Sequence, residues 1–184
     1  MQFRLLYQGP LRSNGDTQHK QEIRRKLHPQ LRDLWTHQPL ADYPEWLQDP
    51  VEPNGLSVIH RVADFRYAPL VCDELKLIAE LSIVLLRPTR PGALIRQGGD
   101  IDNQLKTLFD ALRCPQNVNE LPNGDAPGDG EDPFFCLLDD DERIADLRVA
   151  TDRYLAAPDE RSVHATLFVR TRATRVIYGN LPLS

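Results

Sequence analysis

The chain has 184 residues, 41% of them hydrophobic and 27% charged, which suits one folded domain with a real core and excludes global disorder. Its formal net charge of −5 counts against a plain polyanion binder, but residues 1–99 carry 13 Lys/Arg against 11 Asp/Glu while residues 100–184 carry 9 against 16. No apolar run is long enough for a membrane span, the N-terminus has Arg4 but no apolar stretch of a secretory signal, and Cys72, Cys114 and Cys136 are too widely spaced for a zinc site, so a reducing cytoplasm is the expected setting.

Gln2 to Gln8 reads as a strand, with Phe3, Leu5 and Tyr7 alternating against polar neighbours, and Gly9-Pro10 ends it. Arg12 to Asp16 is a turn with helix-start chemistry. Thr17 to Trp35 then carries a helical stripe of Ile23, Leu27, Leu31, Leu34 and Trp35, which Pro29 is expected to break or kink near His28. Residues 38–55 are proline-rich and read as an irregular insertion, followed by a short strand at Leu56 to Val62. Leu75 to Leu86 is the strongest strand: alternation gives way to Ile83-Val84-Leu85-Leu86, as in a buried central strand. Asp102 to Arg113 is a helix. Residues 114–133 are rich in Pro, Gly, Asn and Asp and too long for an ordinary connection, so a mobile surface insertion is expected. Arg143 to Thr151 and Ser162 to Thr171 complete an α+β domain: a mixed or antiparallel sheet of about four strands with packed helices.

Chemistry concentrates in two acidic segments. The first runs Gly98-Gly99-Asp100-Ile101-Asp102-Asn103-Gln104-Leu105-Lys106-Thr107-Leu108-Phe109-Asp110-Ala111-Leu112. At roughly 100° per residue, Asp102, Lys106, Asp110 and Asn103 share one helix face, while Leu105, Leu108, Phe109 and Leu112 share the opposite one. Asp102 sits where free N–H groups and the helix dipole favour an anion. The second segment is Leu138-Asp139-Asp140-Asp141-Glu142-Arg143-Ile144-Ala145-Asp146-Leu147-Arg148-Val149, an acidic knot entering a strand. The same residues also suit an ordinary N-cap, a solvated Lys106–Asp110 pair and a solvated turn. Two acid clusters in one small domain repel unless a cation or solvent separates them, which favours a hard-cation site.

The string Gly-Asp-Ile-Asp-Asn-x-x-Lys-x-x-x-Asp-Ala-Leu, followed by Leu-Asp-Asp-x-x-x-x-Asp-Leu-Arg-Val, resembles the RusA family of Holliday junction resolvases. The opening strand with Gly-Pro-Leu-Arg-Ser-Asn is also similar to that family's start. The resemblance covers mainly residues 98–113 and 137–150. It implies a RusA-like fold and a homodimeric, Mg²⁺-dependent endodeoxyribonuclease acting on branched DNA, with Mn²⁺ able to substitute. By position it implies Asp100, Asp102 and Asp141 as metal ligands and Lys106 as the catalytic lysine. Asp140 competes with Asp141 for the third place, and Asn103 and Asp110 are possible additions. The sequence departs from the family in its long connection after Arg113 and in the 38–55 segment. The acids Glu120, Asp125, Asp129, Glu131 and Asp132 would repel DNA if held near the site.

Phosphate-gripping candidates are Arg87, Arg90 and Arg96 before the first acidic segment, and Lys20, Arg24 and Arg25 on the N-terminal helix. A solvated helix face is the commoner explanation of the second group. An alternative to the nuclease is a catalytically weak or inactive protein of the same fold, phage-encoded and acting as a binding or inhibitory module.

Overall fold

Alternation of side chains builds the larger sheet. In β1 (Gln2–Pro10) Leu5 and Tyr7 are buried while Arg4 and Leu6 face solvent. The same period continues in β4 (Leu77–Arg87) and β7 (Ser162–Ala173), whose inward residues Leu81, Ile83, Leu85, Ala165, Leu167 and Val169 form the core floor. With β6 (Ile144–Arg153) the strand order is β1-β7-β4-β6. The β4–β6 pair is parallel and the other two are antiparallel. The computed structural model describes residues 1–49, 55–88 and 101–183.

A second sheet was not expected. It joins β2 (His60–Val62), β3 (Phe65–Val71) and β5 (Phe134–Leu138) in the order β2-β3-β5, with β3 and β5 parallel. Every residue of β5 is buried, so Phe-Phe-Cys-Leu-Leu is a short strand without alternation, and Pro69 inside β3 masks that strand in the sequence. The expected strand over 56–62 shortens to β2.

Two helices pack on these sheets, which makes the architecture α+β. Helix α1 (Thr17–Leu34) starts at Asp16, whose carboxylate accepts from the His19 N–H at 2.8 Å. Contrary to expectation it runs through Pro29 without ending. Leu27, His28 and Leu31 are buried on either side, and the Gln30 side chain bonds both the N–H and the C=O of Leu6, so packing outweighs the local cost of the ring. Helix α2 (Ile101–Leu112) crosses α1. The described part of the 38–55 region, residues 38–49, holds two 3₁₀ turns, Leu40–Asp42 and Pro44–Leu47, and contributes to the core: Leu40 and Trp46 are buried, and Trp46 meets Trp35 edge-on at 6.4 Å. Among the described residues no helix is long and apolar enough to cross a membrane.

Candidate metal and nucleic-acid site

Helix α2 is rotated relative to the apolar face read from its leucines. Its buried residues are Thr107, Leu108, Ala111 and Leu112, while Leu105 and Phe109 are only half-buried. The reason is a close crossing. Thr107 Oγ1 accepts from the Gly15 N–H at 2.9 Å, and a Cβ on Gly15 would lie 2.7 Å from Thr107 Cγ2. Small residues therefore take the centre of the contact, and the leucines flank it. Gln104 donates to the Leu11 carbonyl at 3.0 Å and fixes the helix against the exit of β1. The rotation leaves Asp102 and Lys106 exposed, with Asn103 half-buried between them.

The expected Lys106–Asp110 pair does not form. Asp110 pairs instead with Lys20 of α1 at 2.7 Å and lies 3.8 Å from Arg113. Among the described residues no ion pair includes Lys106, so its ammonium remains on the outer face of α2 with Asp102 one turn before it. Asp100, Arg90 and Arg96 lie outside the described residues.

The three consecutive aspartates after β5 have different environments. Asp139 is buried and accepts from the Asp73 N–H at 2.9 Å, the Asp140 N–H at 2.6 Å and Arg143 Nε at 3.0 Å. It locks the knot to the turn between β3 and β4, a structural role that the sequence reading did not assign. Asp140 caps the 3₁₀ turn Asp141–Arg143 by accepting from the Glu142 N–H at 2.9 Å, and this bond holds its carboxyl below the usual range. Asp141 is exposed. Partial burial first, then its hydrogen bond with Asp140 and the negative charge beside it, push its carboxyl up. Asp140 serves the cap, and Asp141 is the more exposed carboxylate of the two.

The turn packs against α2, but toward the C-terminal half of the helix. The groups that Asp141 feels there are Arg113, just past the end of α2, which stabilises its charge, and Asp110, in the last turn of α2, which opposes it. Asp102 stands eight residues before Asp110, about 12 Å along the helix axis. Asp140, Asp141 and Asp110 thus gather with Arg113 and Lys20, while Asp102 and Lys106 occupy the other end of the same helix. Among the described residues no group of three His, Cys, Asp or Glu is close enough to hold a metal ion. Asp102 and Asp141 are hard oxygen donors open to solvent, which is the ligand chemistry that Mg²⁺ takes.

The basic group on α1 points mainly inward. Arg24 is 2% exposed and donates to the Asp110 carbonyl at 2.7 Å, the Arg113 carbonyl at 3.0 Å and Gln21 Oε1 at 3.1 Å. It caps the C-terminal carbonyls of α2 and is not a phosphate contact. Arg25 pairs with Asp125 at 2.9 Å and Glu131 at 3.0 Å, and Lys20 is held by Asp110. Arg87, at the end of β4, is half-buried.

Such contacts also tie the 114–133 segment, expected to be a mobile insertion, to α1 and β3. Besides the Arg25 pairs, Glu120 meets Arg113 at 2.7 Å and Asp132 meets Arg66 at 2.9 Å. His28 Nε2 and Arg32 both donate to the Gly130 carbonyl, at 3.0 and 3.2 Å. Four of the five acids expected to repel DNA therefore have an arginine partner within the chain, with Arg25 shared by two of them. Composition identified both charged groups but could not show that each is the other's partner.

Comparison with protein-family models, with curated proteins and with solved structures finds no match to this chain.

Proposed function

We propose that the chain is a RusA-like, Mg²⁺-dependent, structure-selective endodeoxyribonuclease that hydrolyses phosphodiester bonds in branched DNA and works in the cytoplasm as a homodimer. The observation that carries the reading is that both acidic motifs meet one helix: the Asp140-Asp141 turn packs toward the C-terminal half of α2, and the exposed N-terminal half bears Asp102 and Lys106, although the two motifs are far apart in sequence. Asp100, Asp102 and Asp141 would hold the ion. An Mg²⁺ ion held there would supply Lewis-acid polarisation of a scissile phosphate and a coordinated water of lowered pKa. The chain's own part is to present Lys106, unneutralised by any described ion pair, where negative charge develops on phosphate oxygens. Asp140 shapes the turn that aims Asp141, and Asp139 anchors that turn to the body of the protein.

A specific observation favours the second reading, a catalytically weak or inactive binding or inhibitory module. Lys20, Arg24 and Arg25 are all engaged within the chain, which leaves fewer cations on α1 for DNA. Nicking of a synthetic four-way junction, compared with linear duplex and run with and without Mg²⁺, separates the two. Metal-dependent nicks confined to the junction support the nuclease; an intact junction at stoichiometric protein supports the binding module.

A further inference from the structure

Helix α1 packs on the inner side of the larger sheet, and the outer side displays exposed residues on all four strands. Strand register arranges them in rows. From β1 across β7 and β4 to β6, one row is Gln2, Arg170, Glu80, Asp146 and the next is Arg4, Phe168, Ser82, Arg148. A groove of about 610 Å³ opens where these two rows meet, lined by Ser82, Phe168, Glu80 and Asp146 among others. A second hollow of about 360 Å³ shares Gln2 and Arg170 with it and continues past Arg172. Together they follow β7 along Phe168, Arg170 and Arg172, and their volumes are those of small-molecule sites.

The two ends differ in chemistry. At the first, Phe168 is 37% exposed, and its register neighbour Arg4 lies 4.8 Å over the ring. Its neighbour on the other side is Ser82, so only a small residue separates β7 from β6 at this level. Strands about 4.8 Å apart leave roughly 10 Å between the β7 and β6 backbones, room for one planar ring laid against Phe168. Asp146 borders that space, is exposed, and enters no ion pair among the described residues. A carboxylate only accepts, so it selects a ring edge that carries N–H donors. At the second end Arg170 and Arg172, both more than half exposed, share the single carboxylate of Glu80 at 3.7 and 3.2 Å. Two guanidinium groups against one carboxylate leave a positive excess suited to phosphate oxygens.

We propose that this groove binds a guanine nucleotide, GDP or GTP. The base lies against Phe168 and over Ser82, N1–H and the 2-amino group donate to Asp146, and the phosphates meet Arg170 and Arg172. Guanine offers a carboxylate two adjacent donors on one edge, whereas adenine offers one amino group there. Positions two and four residues beyond Phe168 on the same strand face lie about 7 and 14 Å away, so the two arginines follow the line that a phosphate chain takes from its base. Two such cations in succession suit the run of charges in a polyphosphate better than the single charge of a phosphodiester. The site is on the opposite side of the sheet from α1 and requires neither a metal ion nor cleavage of DNA.

Calorimetric titration of GDP into the chain, in EDTA so that no Mg²⁺ occupies the candidate metal site, tests the assignment. One GDP per chain is expected, with a Kd on the order of 10–100 µM. Phe168→Ala should weaken GDP and guanosine alike, by roughly tenfold or more. Arg172→Gln should weaken GDP several-fold and leave guanosine unchanged. Glu80→Gln should tighten GDP, because it releases both arginines from their shared carboxylate. Asp146→Asn should shrink the preference for GDP over ADP. Circular dichroism of each variant should match wild type, since all four side chains stand on the outer side of the sheet. Absence of heat with GDP at millimolar concentration overturns the proposal. So do equal affinities of the wild type for GDP and ADP, or binding indifferent to both Phe168→Ala and Arg172→Gln. A short single-stranded oligonucleotide that displaces GDP more effectively than GTP does would make a strand the occupant, and would overturn the free nucleotide.

Discussion

Arg24 shows how a single residue can be misread from composition. It stands among Lys20, Arg25 and Lys26 as one more helix cation, yet its guanidinium is buried against the last carbonyls of α2. Arg24→Ala would orphan those carbonyls and Gln21 and leave a void, for a loss of about 3 kcal/mol of stability. Arg24→Lys should recover only part, because an ammonium cannot reach all three acceptors at once. Chemical denaturation of the two variants measures this, and a loss below about 1 kcal/mol for the alanine would refute the capping role. Asp102 and Lys106 behave oppositely, because both are exposed. Asp102→Asn should abolish Mg²⁺-supported nicking and leave melting unchanged. Lys106→Ala should lower turnover by about tenfold or more with little change in junction affinity. An equal fall in affinity would reduce Lys106 to a phosphate anchor.

At the level of elements, α1 and the 114–133 segment form one unit. Arg25, His28 and Arg32 on successive turns of the helix hold Asp125, Glu131 and the Gly130 carbonyl. Replacing Asp125 and Glu131 with Ser and Gln should therefore loosen the segment before it alters DNA binding. The expected sign is a lower melting temperature and faster limited proteolysis between residues 114 and 133. Unchanged proteolysis would mean that the ion pairs ride on a segment held by other contacts, chiefly buried Leu121 and Cys114. How much of this was legible depended on period. β1, β4 and β7 alternate, and all three were readable. Helix α2 was readable as a helix, but its buried face was not, because the Gly15–Thr107 approach is a tertiary contact between distant residues. β5 has no period at all, and β3 contains a proline. The acidic residues of both motifs were legible as candidates. Which of Asp139, Asp140 and Asp141 is structural was settled by burial and by backbone N–H partners, neither of which is written in a run of identical residues.

On the scale of the whole molecule, α1, the second sheet and the long connection meet at His28. Its Nδ1 accepts from the Phe135 N–H at 2.9 Å, and its Nε2 donates to the Gly130 carbonyl at 3.0 Å, an arrangement that needs the neutral ring. Burial is the largest influence and holds its pKa below the ordinary 6.5, with Arg32 acting in the same direction and Glu131 and the Gly130 carbonyl against it. The unfolded chain thus binds this proton first as pH falls. The stability that His28 confers is complete above about pH 6.5 and drains as pH falls from there toward the folded-state value. His19, also lowered chiefly by burial, has the same sign. His60 has the opposite one: its contact with Glu74 raises it, so its contribution is full at low pH and is lost as pH rises through its folded-state value. His28→Gln removes one titration and leaves the others in place. Melting curves of wild type and variant between about pH 5 and 8 should differ most at the alkaline end and converge toward the acid end. Parallel curves with a constant gap across that range would show that the His28 ring contributes packing alone, with no proton linked to the joining of the three elements.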